Sequence, residues 1–167
     1  MPLPSERMQR EIVALLPRLR RFGRTLTGTR EDADDLVQVA LERALNHAAQ
    51  WQPDTRLDSW LFRIMQNAWI DELRSRRRRE ATFVAEEEGE HVGVDSAAAH
   101  QDALAVRQAL ATLSDEHRAV VALVLVEGLA YKEAAEVLDI PIGTLTSRLA
   151  RAREALQARL GGMENTA

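Results

Sequence analysis

Apolar side chains recur every three or four residues along most of this chain, which is the period of an amphipathic α-helix. One such stretch covers residues 36–48. The polar residues Asp35, Gln38 and Glu42 fall on a different face of the same stretch. Thr29 precedes it and is followed by Arg30, Glu31 and Asp32, which places two acidic residues in the first turn of a helix, where the helix dipole favours them. The pattern therefore predicts a helix that Thr29 caps and that buries one face.

A second amphipathic helix is predicted from about Ser59 to Arg79. Its buried side consists of six apolar residues: Leu61, Ile64, Met65, Ala68, Trp69 and Leu73. The opposite side is mostly polar or basic and carries Arg63, Asn67, Ile70, Arg74 and Arg77 or Arg78, flanked by Trp60 and Asp71. The helix ends in DELRSRRRR, which places five arginines in six positions.

The C-terminal part predicts a helical region with one tight break. Ser114 caps a helix that carries VVALVLV, and Gly128 ends it. YKEAAEVL follows, and GTLTSRLARAREALQARL comes after a short break at residues 139–141. Two helices joined in this way are a candidate helix-turn-helix. Asp139 occupies a turn position where glycine is usual, so we expect a strained left-handed backbone there.

The last helix has a polar face suited to contact with another molecule. Its predicted buried stripe is Leu145, Leu149, Ala152, Leu156 and Leu160. The other side carries Thr146, Ser147, Ala150, Arg151 and Glu154, with Arg148 and Arg153 at its edges.

The segment between the two helical regions differs from both. It has two glycines, a run of glutamates and no stripe of large apolar residues, and this composition is typical of a linker. Neither flank shows an Asn-Gly hairpin signal. We therefore predict an all-α protein in which two small helical domains, residues 1–80 and 104–167, are joined by a flexible acidic linker at residues 81–103.

Composition narrows the class of protein. The 167 residues include no cysteine, so disulfides and thiolate metal sites are excluded, as is common in the reducing cytoplasm. The longest apolar run, VVALVLV, is far shorter than the roughly 20 residues that span a bilayer. The first residues carry charge where a signal peptide would be apolar. We expect a cytoplasmic protein.

The formal net charge of −4 hides an uneven distribution. Residues 1–79 hold 15 arginines and 11 acidic residues, residues 80–103 hold 7 acidic and no basic residues, and residues 104–167 hold 7 basic and 8 acidic residues. The acidity of the chain thus belongs mainly to the linker, and the net charge does not exclude an acidic partner for either domain.

No constellation of residues predicts catalysis or a bound cofactor. The four histidines, His47, His91, His100 and His117, do not pair with carboxylates at the spacing of metal ligands. We see no nucleophile with a base, glycine-rich phosphate loop or paired-carboxylate pocket. The sequence therefore predicts no metal, no cofactor and no enzymatic activity.

Two features have both a functional and a plain structural interpretation. A helix-turn-helix places its second helix in the DNA major groove, where Thr146, Ser147 and Arg151 would be suitable contacts, but a helical hairpin with a solvated face has the same pattern. The arginine run is either a phosphate-binding ridge or a solvated helix end favoured by the helix dipole. We prefer the ridge, because it continues the face of Asn67 and Trp60.

Aromatic and acidic residues near the ridge leave further alternatives open. Trp69 is predicted to lie in the core, whereas Trp51 and Trp60 are candidates for either the core or base stacking. The acidic run at residues 86–90 is most simply a solubilising part of the linker. Alternatively, it mimics nucleic acid and shields the ridge.

Two stretches, taken together, resemble a known family. LSDEHRAVVALVLVEGLAYKEAAEVLDIPIGTLTSRLARAREAL is similar to domain 4 of bacterial sigma factors of the extracytoplasmic-function type, and its GTLTSRLARARE is close to their recognition-helix motif. DADDLVQVALERALNHAAQW and RLDSWLFRIMQNAWIDELRSRRRR are similar to domain 2 of the same family. The two matches occur in the family's order and cover nearly the whole chain.

The resemblance implies a subunit that binds core RNA polymerase and directs it to promoter DNA. It assigns polymerase clamp contacts to Asp35, Gln38 and Glu42 and opening of the −10 element to the loop Gln52 to Asp58 with the next helix. It implies −10 contacts from Trp60, Arg63, Asn67, Asp71, Arg74, Arg77 and Arg78. It implies −35 contacts from Thr144, Thr146, Ser147, Arg148, Arg151 and Arg153. Thr146 and Ala150 stand where relatives often have larger or basic side chains, which leaves the −35 preference open.

The resemblance also implies control by an anti-sigma factor that binds between or around the two domains. Two other classes of protein remain as alternatives. A dimeric helix-turn-helix regulator would use the second domain but leaves the first unexplained. A protein-interaction module with the same fold would sequester an anti-sigma factor without directing transcription.

Overall fold

The computed structural model describes residues 4–82 and 99–164, and its regular secondary structure is helical throughout those ranges. The first half contains α1 (Glu6–Thr27), α2 (Arg30–Asn46) and α3 (Leu57–Thr82), with a single turn of 3-10 helix between α2 and α3. The second half contains α4 (Ala99–Ala111), α5 (Asp115–Val121), α6 (Tyr131–Leu138) and α7 (Ile142–Glu164). The predicted all-α class is confirmed. Most of the predicted linker, including residues 86–90, lies outside the described residues.

Helix α1 had no counterpart in the sequence prediction. Ser5 caps it by accepting a hydrogen bond from the Met8 amide, and Gly28 ends it in a left-handed conformation with φ 83°. The helix buries Phe22 among other apolar side chains and packs against α2 and α3. At Gly23 an added Cβ would lie 3.3 Å from the Ala33 carbonyl oxygen, so the absence of a side chain lets α1 and α2 approach closely.

The predicted helices α2 and α3 form with the expected buried faces. The Thr29 hydroxyl accepts a hydrogen bond from the Asp32 amide at 3.1 Å and caps α2. On α3, Leu61 and Met65 are fully buried, and Trp69 is buried as predicted. The helix begins at Leu57, two residues before the predicted start, and continues to Thr82.

The helix-turn-helix is formed by α6 and α7. Asp139 ends α6 with φ 52° and ψ 50°, so the expected left-handed turn is present. Leu145, Leu149 and Ala152 are buried beneath α7, as the periodicity indicated. Ser114 caps α5, but residues 122–126 continue as a π-helical turn in which the Glu127 amide donates to the Ala122 carbonyl. That wider turn was not predicted.

The two halves pack against each other. Helix α1 contacts α5 and the π-helical turn, and α3 contacts α6. One cluster of buried apolar side chains includes Phe22 and Phe62 from the first half and Leu123 and Leu145 from the second. The Arg118 guanidinium also crosses the boundary, where it donates to the Leu26 carbonyl at 3.2 Å. The described parts of the chain therefore adopt a closed arrangement.

Glu127 provides the most buried charge at this boundary, since its side chain is 0% exposed. Arg21 donates to both of its carboxylate oxygens, from Nε at 2.9 Å and from Nη2 at 2.8 Å. Arg18 Nε donates to Oε2 at 3.3 Å, and Arg18 Nη1 donates to Asp58 at 3.0 Å. Two arginines of α1 thus neutralise a carboxylate from the other half of the molecule.

Arg56 extends these contacts towards the loop before α3. Arg56 donates to both oxygens of Asp58 and also to Glu133 on α6. The carboxylate side chain of Asp58 is 9% exposed. The contacts link six residues, which we call the interdomain network: Arg18, Arg21, Arg56, Asp58, Glu127 and Glu133.

The turn at Asp139 gives a first prediction. Replacing Asp139 with Ala should lower the free energy of unfolding by about 1 kcal/mol relative to replacing it with Gly, because an L side chain is strained at positive φ. Urea unfolding followed by circular dichroism measures both variants. Asp102 is the control because it lies within the helix α4, where replacement with Ala should give a more stable protein than replacement with Gly. Equal stability of the two Asp139 variants would contradict the strain.

Asp58 gives a second prediction, on pH. Burial raises the pKa of Asp58, but hydrogen bonds from Arg56, Arg18 and the Ser59 amide outweigh burial and hold the pKa below its ordinary value of 3.8. A lowered pKa stabilises the fold above the unfolded-state pKa, and that stabilisation is lost as the pH falls through the folded-state pKa.

Asp58→Asn should therefore reduce the free energy of unfolding by about 1.5–3 kcal/mol at pH 7, the range for hydrogen bonds to charged groups. The difference from the native protein should begin to shrink as the pH falls below about 4, where Asp58 of the unfolded chain takes up a proton, and it should disappear once the pH is below the lowered folded-state pKa of Asp58. Denaturant unfolding of both proteins at a series of pH values measures this difference in the free energy of unfolding. A difference that stays constant from pH 7 to pH 3 would show that ionisation of Asp58 does not stabilise the fold.

Candidate nucleic-acid interface

The outer face of α3 brings together the seven residues predicted to contact the −10 element. At 100° per residue they fall within an arc of about 120° on one side of the helix. Six of them are exposed: Arg63, Asn67, Asp71, Arg74, Arg77 and Arg78. Trp60 is half-buried and packs against the core with one side. This basic and polar surface stays accessible in the closed arrangement.

The arginines of DELRSRRRR do not share one role. Arg76 donates to Glu72 at 2.9 Å and to Asp32 at 3.0 Å, and its guanidinium lies 5.3 Å from the centre of the Trp69 ring. Burial lowers the pKa of Arg76, but these two carboxylates outweigh burial and leave the pKa raised. Arg76 therefore fastens α3 to α2, and its charge is already matched within the protein.

Two arginines of the run, Arg74 and Arg78, remain fully available to an external anion, and Arg77 is only weakly engaged. Arg79 pairs with Glu72 at 3.1 Å, whereas Arg74 and Arg78 make no ion pair with any described residue. Arg77 forms a long pair with Asp115, at 3.6 Å, across the boundary between the halves. The phosphate-binding ridge suggested by the sequence is therefore narrower than the run itself.

The loop before α3 is only partly exposed. Residues 52–56 are exposed, and Thr55 closes a turn by donating to the Gln52 carbonyl at 2.7 Å. Asp58, at the end of the stretch assigned to −10 opening, is buried and bound by arginines. Trp51 is 8% exposed and belongs to the core, which leaves Trp60 as the accessible aromatic residue of the pair.

The three residues expected to contact polymerase lie exposed on α2. Asp35, Gln38 and Glu42 are all accessible, and Val39 beside them is 40% exposed. Asp35 and Val39 line a groove of about 260 Å³ between α2 and α3. The same groove contains Arg43 and Asp71, which form a 3.0 Å ion pair. The expected polymerase and −10 surfaces are thus neighbours on one side of the molecule.

On α7, the residues predicted to read the −35 element occupy both flanks of the exposed face. Four of them line one open concave surface of about 640 Å³: Thr144, Ser147, Arg148 and Arg151. By helical geometry, Thr146 and Arg153 share the other flank, close to 180° away from Thr144. A helix in the major groove can present both flanks to base edges or phosphates.

Two side chains on this surface also have partners within the protein. The half-buried Arg148 pairs with Glu116 at 3.5 Å. The Thr146 hydroxyl donates to the Ile142 carbonyl at 2.9 Å, although the side chain is exposed. Arg151 is exposed and has no ion pair among the residues described, so its charge is available to a ligand.

Sequence patterns did not identify the charges that join the two halves. Arg18 and Arg21 lie on the unpredicted helix α1, and Glu127 follows directly after the most apolar run of the chain. That position of Glu127 was a usable signal, because a carboxylate at the end of a buried helix requires a cation near it. The identity of its partners was not readable, since they lie more than 100 positions away.

Within residues 4–82 and 99–164 no group of three or more potential ligands among His, Asp and Glu is arranged to hold a metal ion. Over the same ranges, no helix has both the length and the apolar character needed to cross a membrane.

Comparison with known proteins identifies both halves. Residues 12–66 match the family model for the Sigma2 domain of PhyR, and residues 103–156 match that for Sigma-70, region 4. The chain is 35% identical over 164 residues to the ECF RNA polymerase sigma factor EcfG of Rhodopseudomonas palustris, covering 96% of this chain and 88% of that protein.

Two further proteins show the same relationship. The chain is 40% identical to the ECF RNA polymerase sigma factor SigM of Mycobacterium tuberculosis, over 89% of this chain and 74% of that one. The fold is similar to that of the sigma factor RpoE solved in complex with the anti-sigma factor NepR from Bartonella quintana, with a TM-score of 0.79, 30% identity and coverage of 94% and 98% of the two chains. The chain therefore belongs to the ECF family of RNA polymerase sigma factors.

Proposed function

We propose that this protein binds core RNA polymerase and directs it to promoters as a dissociable specificity subunit. The observation that carries the proposal is the presence, in one chain of this family, of two separate exposed surfaces suited to DNA, on α3 and on α7. A lone helix-turn-helix regulator has no use for the first of these. The protein contributes recognition and no catalysis, and it acts where the polymerase is, in the cytoplasm.

The α3 surface reads and holds the −10 element. Asn67 has both a donor and an acceptor for base edges, and Trp60 offers an aromatic surface for an unpaired base. Arg63, Arg74 and Arg78 have no ion pair within the described chain and bind phosphates, which position the strand without reading its sequence. Asp71, paired with Arg43, and Arg77 border this surface.

The α7 surface reads the −35 element. Thr144 and Ser147 lie in the first two turns of α7 and Arg151 lies in the third, within the N-terminal half of the helix, where a helix-turn-helix meets base edges. Arg151 can bind a guanine edge or a phosphate, because its guanidinium is exposed and has no ion pair with any described residue. Arg148 and Arg153 contact the DNA backbone on either side of the helix. The small side chains of Thr146 and Ala150 give this protein its own preference among −35 sequences.

The polymerase contact is assigned to α2. Asp35, Gln38 and Glu42 form an exposed acidic and polar strip, with Val39 as its apolar member. An anti-sigma factor controls access to these surfaces. This is supported by the structural similarity to RpoE, which was solved with its anti-sigma factor NepR.

Strand opening requires the assembled complex with core polymerase, because its cost exceeds what base capture by this protein alone returns. Opening about ten base pairs costs on the order of 14 kcal/mol, at about 1.4 kcal/mol per step. Stacking two captured bases returns roughly 2–6 kcal/mol. The isolated protein should therefore bind promoter duplex weakly and should not melt it, and a permanganate footprint showing stable melting by the protein alone would contradict this.

Run-off transcription with core polymerase on a promoter library tests the proposed function. The native protein should yield promoter-specific transcripts. Asn67→Ala and Arg151→Ala should each reduce them roughly tenfold or more, the loss expected from a base contact. Arg159→Ala, on the same helix as Arg151 but beyond the proposed reading positions, is the matched control. Absence of promoter-specific transcripts from the native protein would favour the alternative of a protein-interaction module, and transcripts unaffected by both substitutions would contradict the base contacts assigned to Asn67 and Arg151.

The division of labour within the arginine run gives a further prediction. Arg78→Gln should lower the slope of log affinity of the holoenzyme for promoter DNA against log salt by about 0.9, the contribution of one phosphate, and should leave protein stability unchanged. Arg76→Gln should instead lower the free energy of unfolding by about 1 kcal/mol, through loss of its ion pairs and its contact with Trp69. Salt titrations of promoter binding measure the slope, and unfolding of both variants measures their stability. Equal behaviour of the two arginines would contradict the distinction.

A further inference from the structure

We propose that Glu116 and His117 of α5 form a second side of the −35 surface, on which His117 binds the DNA backbone and Glu116 positions Arg148. The inference rests on the proposed function of α7 and adds two residues that lie outside the helix-turn-helix. Neither residue is among the −35 contacts expected from the sequence.

The concave surface beside α7 is lined from more than one element. Four of its lining residues belong to α7 and are already assigned to the −35 element. The other lining residues come from α5, from the turn after α6 and from the start of α7: Glu116, His117, Pro141 and Gly143. A ligand that enters this space to reach the residues of α7 therefore meets α5 as well.

Buried apolar contacts fix α5 against α7. Val120 of α5 lies in the same buried cluster as Leu145 and Leu149 of α7, and Val121 packs with Ala152 in a second cluster. Both helices belong to the second half of the molecule. The shape of the concave surface therefore does not depend on how the two halves meet.

The width of the major groove brings a DNA strand to this surface. The groove is about 12 Å wide and an α-helix with its side chains is about 10–12 Å across, so a helix in the groove has a phosphate strand directly beside each flank. The flank of α7 that carries Thr144 and Arg151 shares the concave surface with α5. The strand on that side must therefore pass next to Glu116 and His117.

The ring of His117 lies unpartnered at the place where this strand would pass. The His117 backbone amide donates to the Ser114 hydroxyl at 3.2 Å, which fixes the turn. The half-buried ring itself makes no hydrogen bond or ion pair with the residues that the structure describes. An imidazole has at least one N–H donor in either protonation state. His117 is thus suited to donate to a phosphate from outside the reading helix.

Glu116 controls where the guanidinium of Arg148 lies. The Glu116 carboxylate is 3.5 Å from Arg148 Nη2, and the two side chains are 69% and 26% exposed, respectively. A surface ion pair of this kind adds little to stability. It leaves the other N–H groups of the guanidinium for a phosphate, and holding the arginine in place reduces the conformational entropy lost when DNA binds. Glu116 is therefore a positioning residue and not a DNA contact.

Charge substitutions at His117 test the phosphate contact. Fluorescence anisotropy measures binding of the reconstituted holoenzyme to a labelled promoter duplex at several salt concentrations. His117→Lys should steepen the slope of log affinity against log salt by about 0.9, the contribution of one phosphate. His117→Glu should weaken binding at least about tenfold, because a carboxylate would face the phosphate.

Gln101→Lys and Gln101→Glu are the matched controls for His117. Gln101 is exposed on α4, in the same half of the molecule, and does not line the concave surface. The control variants introduce the same charges and should leave both the slope and the affinity nearly unchanged. Equal effects at the two positions would overturn the phosphate contact.

A double-mutant cycle tests the positioning role of Glu116. Glu116→Ala should weaken promoter binding by the holoenzyme about threefold to tenfold, the effect of leaving one long side chain to be ordered on binding. The same substitution should have no further effect beside Arg148→Ala. Circular dichroism confirms that each variant is folded. A loss that persists beside Arg148→Ala would overturn the positioning role, as would tighter binding by Glu116→Ala, which is the result expected if the carboxylate only repels DNA.

A duplex with a scrambled −35 element separates this inference from the proposed function. The native holoenzyme should bind the promoter more tightly than the scrambled duplex. Absence of this preference would refute the proposed function and the inference with it. A clear preference in the native protein, together with no effect of the His117 and Glu116 substitutions, would refute the inference alone.

Discussion

Burial of the Glu127 carboxylate between two halves of the molecule constrains much of this structure. A charge removed from water requires cations at hydrogen-bonding distance, and here they come from α1, at the other end of the chain. Arg18 also binds Asp58, which in turn binds Arg56, so the start of α3 is fixed by the same chain of charges. The position of the loop before α3 and the packing of the helix-turn-helix are therefore not independent of each other.

Each helix proposed to contact DNA has internal partners on one side and, on the other, groups without an ion pair among the described residues. On α3, Arg76 is held by Asp32 and Glu72 and covers Trp69, while Arg74 and Arg78 extend from the opposite side. On α7, Leu145 and Leu149 fix the helix and leave Arg151 exposed. A rigid inner side lets the outer side keep charges whose partners are supplied by a ligand.

Sequence periodicity predicted the elements whose folding is local. The buried faces of α3 and α7, the Thr29 and Ser114 caps and the left-handed Asp139 all follow from residues within a few positions of one another. Helix α1 was missed, and so were the π-helical turn and every interdomain ion pair. The ion pairs join residues far apart in sequence, and no local pattern in a single sequence specifies which distant arginine meets Glu127. The roles of Arg76 and Arg78 likewise separate only once Asp32 is seen beside the former.

A single chain that reads two promoter elements must be sensitive to their spacing, and this sensitivity tests the account most directly. Run-off transcription should be compared on promoters that differ only by about five base pairs inserted between the −35 and −10 elements, which turns one element by half a turn of the duplex. We expect transcription to fall at least about tenfold, to the level of a promoter whose −35 element has been replaced. Transcription that does not depend on spacing would contradict the claim that α3 and α7 act together on one promoter.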